Sequence, residues 1–282
     1  MPQKRHAIGT LGVEAISKGG IRVERLEDRV KPRVPFPHRH DFYQILLMKT
    51  GAGSHAIDFK TYKVAARQIF CLKPGQVHAW NLSAKAVGLL IEFTPESFLT
   101  PSRGLNFGAL TDALPDCFRV IKADDYRELW RAANKMASEF KEKNPLFEEA
   151  LRSSLENLLI HLSRHASIKA APAPGPSKAQ DFTALVDSHY ARKHQVSDYA
   201  QMLGVSAKAL NMQVQRLYGR APREILHERL LLEARRLLAY STLNVSEISY
   251  EIGYDDPNYF TRFFRQMTGQ NPLEFRKKQR TS

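Results

Sequence analysis

Residues 245–256, Val-Ser-Glu-Ile-Ser-Tyr-Glu-Ile-Gly-Tyr-Asp-Asp, restate residues 196–206, Val-Ser-Asp-Tyr-Ala-Gln-Met-Leu-Gly-Val-Ser, at a distance of about 50 residues. Self-similarity at such a spacing marks a repeated supersecondary unit. In each copy a short helix is expected to open after a serine, Ser197 or Ser246, whose hydroxyl accepts backbone N–H bonds. Each is expected to end at a glycine, Gly204 or Gly253. A tight helix-to-helix turn demands a left-handed residue, which glycine adopts without steric cost. A second helix then starts at Ser206 in the first copy and at Asp256-Pro257 in the second; an Asp cap followed by proline in the first turn is a strong start signal. Leu210 and Val214 correspond to Phe260 and Phe264 on the buried side, and each copy closes with Gly-x-x-Pro, Gly219 to Pro222 and Gly269 to Pro272. A generic helical bundle would not align glycines, caps, core positions and closing motif together. The repeat therefore predicts a double helix-turn-helix.

Its physical consequence is a pair of exposed recognition helices joined by a helix running from Pro222 to Tyr240. An α-helix fits the major groove of B-DNA and presents side chains from its N-terminal half to base edges. The outward positions are Lys208, Asn211, Met212, Gln215 and Arg216 on the first helix, and Asn258, Thr261, Arg262 and Arg265 on the second. Arginine reads guanine bidentately and asparagine reads adenine, while the other cations suit phosphates. The second copy carries Arg262, Arg265 and the basic tail Arg276-Lys277-Lys278-Gln279-Arg280, and the first offers fewer cations. Base discrimination is expected to lean on Arg262, Asn258, Lys208 and Asn211. Any one of these is alternatively a solvated surface residue.

Working outward, residues 166–180 carry Pro172, Pro174 and Pro176 among alanines and read as an interdomain linker. Upstream of it, Phe147, Leu151, Leu155, Leu158 and Leu162, after a start at Pro145, recur at helical spacing. So do Tyr126, Leu129, Trp130, Ala133, Ala137 and Phe140. Two such helices make an antiparallel pair whose apolar stripe packs either on the preceding domain or on a second subunit. Further upstream, the runs FYQILLM (42–48), RQIFCL (67–72) and VGLLIEF (87–93) are apolar and β-branched, punctuated by Gly51, Gly53, Pro74 and Gly75. They predict an antiparallel β barrel or jelly roll. The expected fold is multidomain α+β. Residues 1–165 form a sensing and dimerisation domain (barrel about 20–100, helices about 123–165), 166–180 a linker, and 181–282 an all-α DNA-binding domain.

Among the 282 residues, 42 Lys plus Arg outweigh 29 Asp plus Glu for a formal charge of +13, which favours polyanionic partners or simply keeps the protein soluble. Hydrophobic residues at 43% and charged residues at 25% exclude a wholly disordered chain. Two cysteines, Cys71 and Cys117, make no disulfide framework and suit a reducing compartment. The N-terminus lacks the apolar core of a signal peptide, and no run is long enough to span a bilayer, so a cytoplasmic protein with no membrane partner is expected.

Residues 248–275, ISYEIGYDDPNYFTRFFRQMTGQNPLEF, closely match the signature of the AraC/XylS transcription regulators, and the last hundred or so residues resemble that family as a whole. The resemblance implies a seven-helix module binding two adjacent major-groove segments on one face of DNA. Base contacts would come from the positions of Lys208, Asn211, Met212, Asn258, Thr261 and Arg262. Met212 departs from the polar or basic residue frequent there. Residues 20–165 are more loosely similar to the sensory domain of many such regulators, a cupin barrel that binds a small effector, followed by helices that dimerise. A homodimer on half-sites about one DNA turn apart is then implied, with RNA polymerase as a further partner.

In the barrel, His38-Arg39-His40, Gln44, Gly51 and Gly75-Gln76-Val77-His78 echo the two cupin metal motifs. Three histidines with an oxygen ligand would suit a divalent metal. The position expected to hold glutamate is Gln44, however, and a neutral amide is a poor ligand. The favoured reading is a recycled pocket in which His38, His40, Gln44, His78 and Trp80 line an effector site, with no metal and no cofactor; purely structural histidines are the bland alternative. No catalytic constellation stands out elsewhere, so no enzyme is expected. The leading function is a sequence-specific DNA-binding transcription regulator, an activator, controlled by a small molecule. The rivals are a cupin metalloenzyme fused to a DNA-binding module and non-specific coating of nucleic acid.

Overall fold

The computed structural model describes residues 20–28, 37–94, 97, 110–111, 113–166 and 178–281. The chain divides into two compact units, Gly9–Ala173 and one holding Pro174–Ser282. The proline-rich core of the expected linker, 167–177, lies outside the described residues. The helix that follows begins at Lys178, inside the expected linker boundary.

Among the described residues the first unit is built on eight antiparallel strands: β1 (Ile21–Arg25), β2 (Tyr43–Thr50), β3 (Gly53–Ile57), β4 (Lys60–Val64), β5 (Gln68–Leu72), β6 (His78–Leu82), β7 (Val87–Phe93) and β8 (Cys117–Arg119). They form a five-stranded sheet in the order β1-β7-β2-β5-β8 and a three-stranded sheet in the order β4-β3-β6. Side chains alternate along each strand, so each sheet has an inner and an outer face. From β2 and β7, Leu46, Met48 and Leu90 enter a core shared with Ile57 and Val64 of the smaller sheet. Tyr43, Ile45, Leu47, Leu89, Ile91 and Phe93 face the other way, into a second core.

That second core is completed by two helices, α1 (Ala123–Glu142) and α2 (Phe147–His165). Tyr126, Leu129, Ala133 and Met136 of α1 and Leu151, Leu155, Leu158 and Leu162 of α2 pack there against the sheet. The barrel sheet, one of the two expected destinations, receives this stripe. The second helix starts at Phe147 rather than Pro145. Its N-cap residue Leu146 is left-handed at φ 66°, and a left-handed residue breaks the helical run that Pro145 would have opened.

The second unit contains seven helices among the described residues: α3 (Lys178–His189), α4 (Val196–Met202), α5 (Ala207–Tyr218), α6 (Pro222–Tyr240), α7 (Val245–Glu251), α8 (Pro257–Thr268) and α9 (Pro272–Thr281). The N-cap positions of the short helices α4 and α7 are Gln195 and Asn244, one residue before the valines, and not Ser197 and Ser246; Gln195 makes no side-chain capping bond. Asn244 wins because it forms a reciprocal pair with Glu247: Glu247 N–H donates to Asn244 Oδ1 at 2.9 Å and Asn244 N–H to Glu247 Oε2 at 2.7 Å. The serines thus sit inside the first turn. Gly204 and Gly253 take the left-handed conformation at φ 66° and 87°. The long central helix α6 is held to α3 by Arg229, which ion-pairs with Asp187 and the buried Glu233 and stacks on the Tyr190 ring at 3.9 Å.

Candidate functional site

Ser206 caps α5 by accepting from Ala209 N–H at 3.1 Å, and Asp256 caps α8 by accepting from Asn258 N–H at 2.8 Å. Leu210 and Val214 bury one face of α5, and Phe260 and Phe264 bury one face of α8. The opposite faces are therefore fixed by helical geometry. Lys208, Asn211, Met212, Gln215 and Arg216 are exposed on α5, as are Asn258, Arg262 and Arg265 on α8. Met212 is 64% exposed, an apolar side chain held in water by the helix register. Thr261 is the exception: it is partly covered, and its hydroxyl donates to Pro257 O at 2.9 Å. This is a back-bond within the helix, which engages the hydroxyl.

Two residues modify the expected interface. Tyr259 is 63% exposed, and the Arg262 guanidinium lies over its ring at 4.5 Å. Tyr259 is not among the outward positions expected from the sequence; the i to i+3 geometry shows it as a platform for Arg262. Arg276, placed in the basic tail, points inward: Nε donates to Leu238 O at 3.0 Å and Nη2 to Leu243 O at 2.6 Å. It closes the C-terminal end of α6, which has orphan carbonyls to satisfy. Lys277 and Lys278 are exposed.

The two copies are joined through one aromatic seam. Tyr254 and Phe263 of the second copy pack against the core built by α3, α4, α5 and α6. The His194 ring lies tilted against that of Tyr254 with centroids 4.7 Å apart, and its Nε2–H donates to Ile252 O at 3.0 Å.

In the first unit the inner sheet faces collect polar side chains. His78 is a hub: its ring centroid lies 4.2 Å from His38, 5.0 Å from His40, 5.4 Å from His55 and 5.6 Å from Trp80. Gln44 is buried opposite Glu92, and its Nε2 donates to Glu92 Oε1 at 2.7 Å; Arg22 Nε donates to the other carboxylate oxygen at 2.7 Å. The structure thus brings together His38, His40, Gln44, His78 and Trp80, and adds His55, Glu92 and Arg22. His55 went unnoticed because β3, with its glycine and serine, carries no strand signal; Glu92 lay within an apolar run. Burial pushes the His40 imidazole down to about 4 and that of His55 to about 3, with the neighbouring histidines adding to the His55 shift. His78 is lowered for the same reasons. These rings are neutral at physiological pH. Among the described residues no three His, Cys, Asp or Glu side chains are arranged to hold a metal ion.

Residues 21–107 match the sequence model of the AraC-like ligand-binding domain, and residues 199–278 match that of a helix-turn-helix domain. Together they take in more than half of the chain, in the order of sensor then reader. The chain belongs to the AraC family. It is a DNA-binding transcription regulator with an N-terminal ligand-binding domain. Among AraC-family relatives, the HTH-type transcriptional activator RhaS of Escherichia coli O81 (strain ED1a) is 24% identical over 261 residues, 88% of this chain and 91% of that protein. ToxT of Vibrio cholerae, solved with an unsaturated fatty acid bound, aligns over 91% of this chain and 94% of its own at 13% identity and a TM-score of 0.41. The DNA-binding domain of AdpA, solved on a target DNA, aligns over 38% of this chain and 96% of its own at 24% identity and a TM-score of 0.35. No helix among the described residues is long and apolar enough to cross a membrane.

Proposed function

We propose that this AraC-family chain is a cytoplasmic, effector-controlled activator that reads a bipartite operator with α5 and α8. One observation carries the reading: both helices are capped, share a joined core, and turn Lys208, Asn211, Asn258 and Arg262 to solvent. Arg262 and Asn258 suit guanine and adenine edges, with Lys208 and Asn211 contributing from the first copy and Gln215, Arg216 and Arg265 suited to flanking positions and phosphates. The name of the RhaS relatives supports activation, for which contact with RNA polymerase is the expected route. A homodimer through residues 123–165 would use the faces of α1 and α2 that the sheet leaves uncovered.

Control is assigned to the barrel interior, where His38, His40, Gln44, His78 and Trp80 line the effector site. A ligand shifts the balance between states only through a difference in its affinity for them. The function is binding rather than catalysis: Gln44, at the position where a cupin metal site has its carboxylate, is committed to Glu92. Stoichiometric iron, manganese or zinc in the purified protein, lost on changing His38, His40 and His78, would restore the metalloenzyme reading. The regulator reading is tested by selecting duplexes from a random library and measuring fluorescence anisotropy on the winners. The expected result is one bipartite sequence bound far better than scrambled DNA. Equal, weak, salt-sensitive binding to every duplex would return the protein to charge-driven coating.

A further inference from the structure

Among the described residues, four polar atoms in the barrel interior are buried without a hydrogen-bond partner: His40 Nε2, Gln44 Oε1, His55 Nδ1 and His78 Nε2. Buried polar groups of this kind are rare, because each forfeits its bonds to water. Their proton inventory follows from what each neighbouring atom is able to do.

The Glu92 carboxylate only accepts, so the Gln44 atom beside it is the NH2 group. That fixes the amide, and Oε1 is left as an acceptor. The Phe42 carbonyl also only accepts, and it stands 2.8 Å from His40 Nδ1. The Nδ1 atom therefore carries the proton, and Nε2 is a bare lone pair. His55 Nε2 and His78 Nδ1 share one proton across 3.2 Å. In a neutral pair, whichever ring donates has its other nitrogen bare, and the ring that accepts has its other nitrogen protonated. His55 Nδ1 and His78 Nε2 are thus one acceptor and one donor in either arrangement. Of the four orphaned atoms, three accept and one donates.

This inventory discriminates between ligand classes. A carboxylate or phosphate brings acceptors to a site of acceptors, and the nearby cation, Arg22, is already engaged by Glu92. A cation would enter an interior whose nearby carboxylate is likewise engaged. An apolar ligand would leave all four atoms unsatisfied. We propose that the barrel takes an uncharged molecule bearing two or more O–H or N–H donors, held by His40 Nε2, Gln44 Oε1 and the His55–His78 pair, with Trp80 as an apolar wall. The proposal rests on the reading of the barrel as the effector site and specifies the chemistry that reading needs. Neutrality of the histidines, which burial enforces, keeps the site uncharged at physiological pH.

Two measurements on the full chain test it. Long-range 15N–1H spectra of the 15N-histidine-labelled protein should show His40 as the Nδ1–H tautomer with an unprotonated Nε2; an Nε2–H signal for His40 overturns the donor count. Thermal stabilisation is then measured with matched probes on one carbon skeleton (sorbitol, glucamine and gluconate), with zinc chloride, and with a panel of metabolites sorted by charge. Stabilisation confined to uncharged multi-donor compounds, weakened about tenfold in Kd by Gln44→Leu or His40→Phe, supports the assignment. Stabilisation by anions or zinc, by apolar compounds, or by nothing in the panel overturns it. Operator selection on the same protein separates the two readings: a chain that binds the predicted class yet selects no DNA sequence keeps this inference and loses the regulator.

Discussion

The first and second helix-turn-helix copies share their punctuation, but their turn glycines stand in different surroundings. A Cβ added at Gly204 would meet nothing within 4 Å, whereas one added at Gly253 would stand 2.0 Å from Ala191 O. The first turn is open to solvent; the second is pressed against the connection between α3 and α4. The recognition helices differ in the same sense. Helix α8 sends Phe263 and, through its turn, Tyr254 into the first copy's core, and it presents an arginine on a tyrosine platform. Repetition of sequence therefore does not mean repetition of role: one copy supplies the core, and the other docks on it and carries the greater number of cations.

The largest effect that would break this contrast is steric. Gly253→Ala should destabilise the protein by at least about 3 kcal/mol, combining left-handed strain with overpacking, while Gly204→Ala should cost roughly 1 kcal/mol. Equal shifts in thermal denaturation would show the two turns to be equivalent. Next comes the reading face. Arg262→Ala should cost on the order of 1–3 kcal/mol and relax preference at one base pair, measured by anisotropy on single-substituted duplexes. Tyr259→Phe should retain that preference and Tyr259→Ala should lose part of it, because the ring rather than the hydroxyl supports the guanidinium.

Smaller effects separate the members of the C-terminal basic run. Arg276→Ala should lower stability by about 1–2 kcal/mol through the loss of its bonds to the Leu238 and Leu243 carbonyls at the end of α6, with an unchanged salt slope for DNA binding. Lys277→Ala should act on DNA binding instead: slightly weaker binding to all sequences alike, and a shallower salt dependence. Identical profiles for the two variants would erase the distinction between a cap and a phosphate contact.

Where local chemistry dominates, the sequence was readable. Gly204, Gly253, Ser206, Asp256 and Pro257 each act through their own backbone or the next turn, so the double helix-turn-helix and its outward positions were legible from residues alone. Strands β2, β5 and β7 were legible because burial on both faces makes them continuous apolar runs. Strands β3, β4 and β6 were not, because one of their faces meets solvent and their short runs mix Gly, Ser, Lys and His. The barrel cluster was half legible: His38, His40, Gln44 and His78 carried a motif, whereas His55 and Glu92 joined them only through strand register.

Sequence by itself determined which segments turn, cap and repeat, and so which side chains line the outside of α5 and α8, because helical periodicity links residues three and four apart. Tertiary structure alone decided that Arg276 turns inward, that Tyr259 underlies Arg262, and that Gln44 spends its donor on Glu92. Those outcomes depend on which atom of a distant strand or helix end lies within about 3 Å, a distance no local spacing encodes.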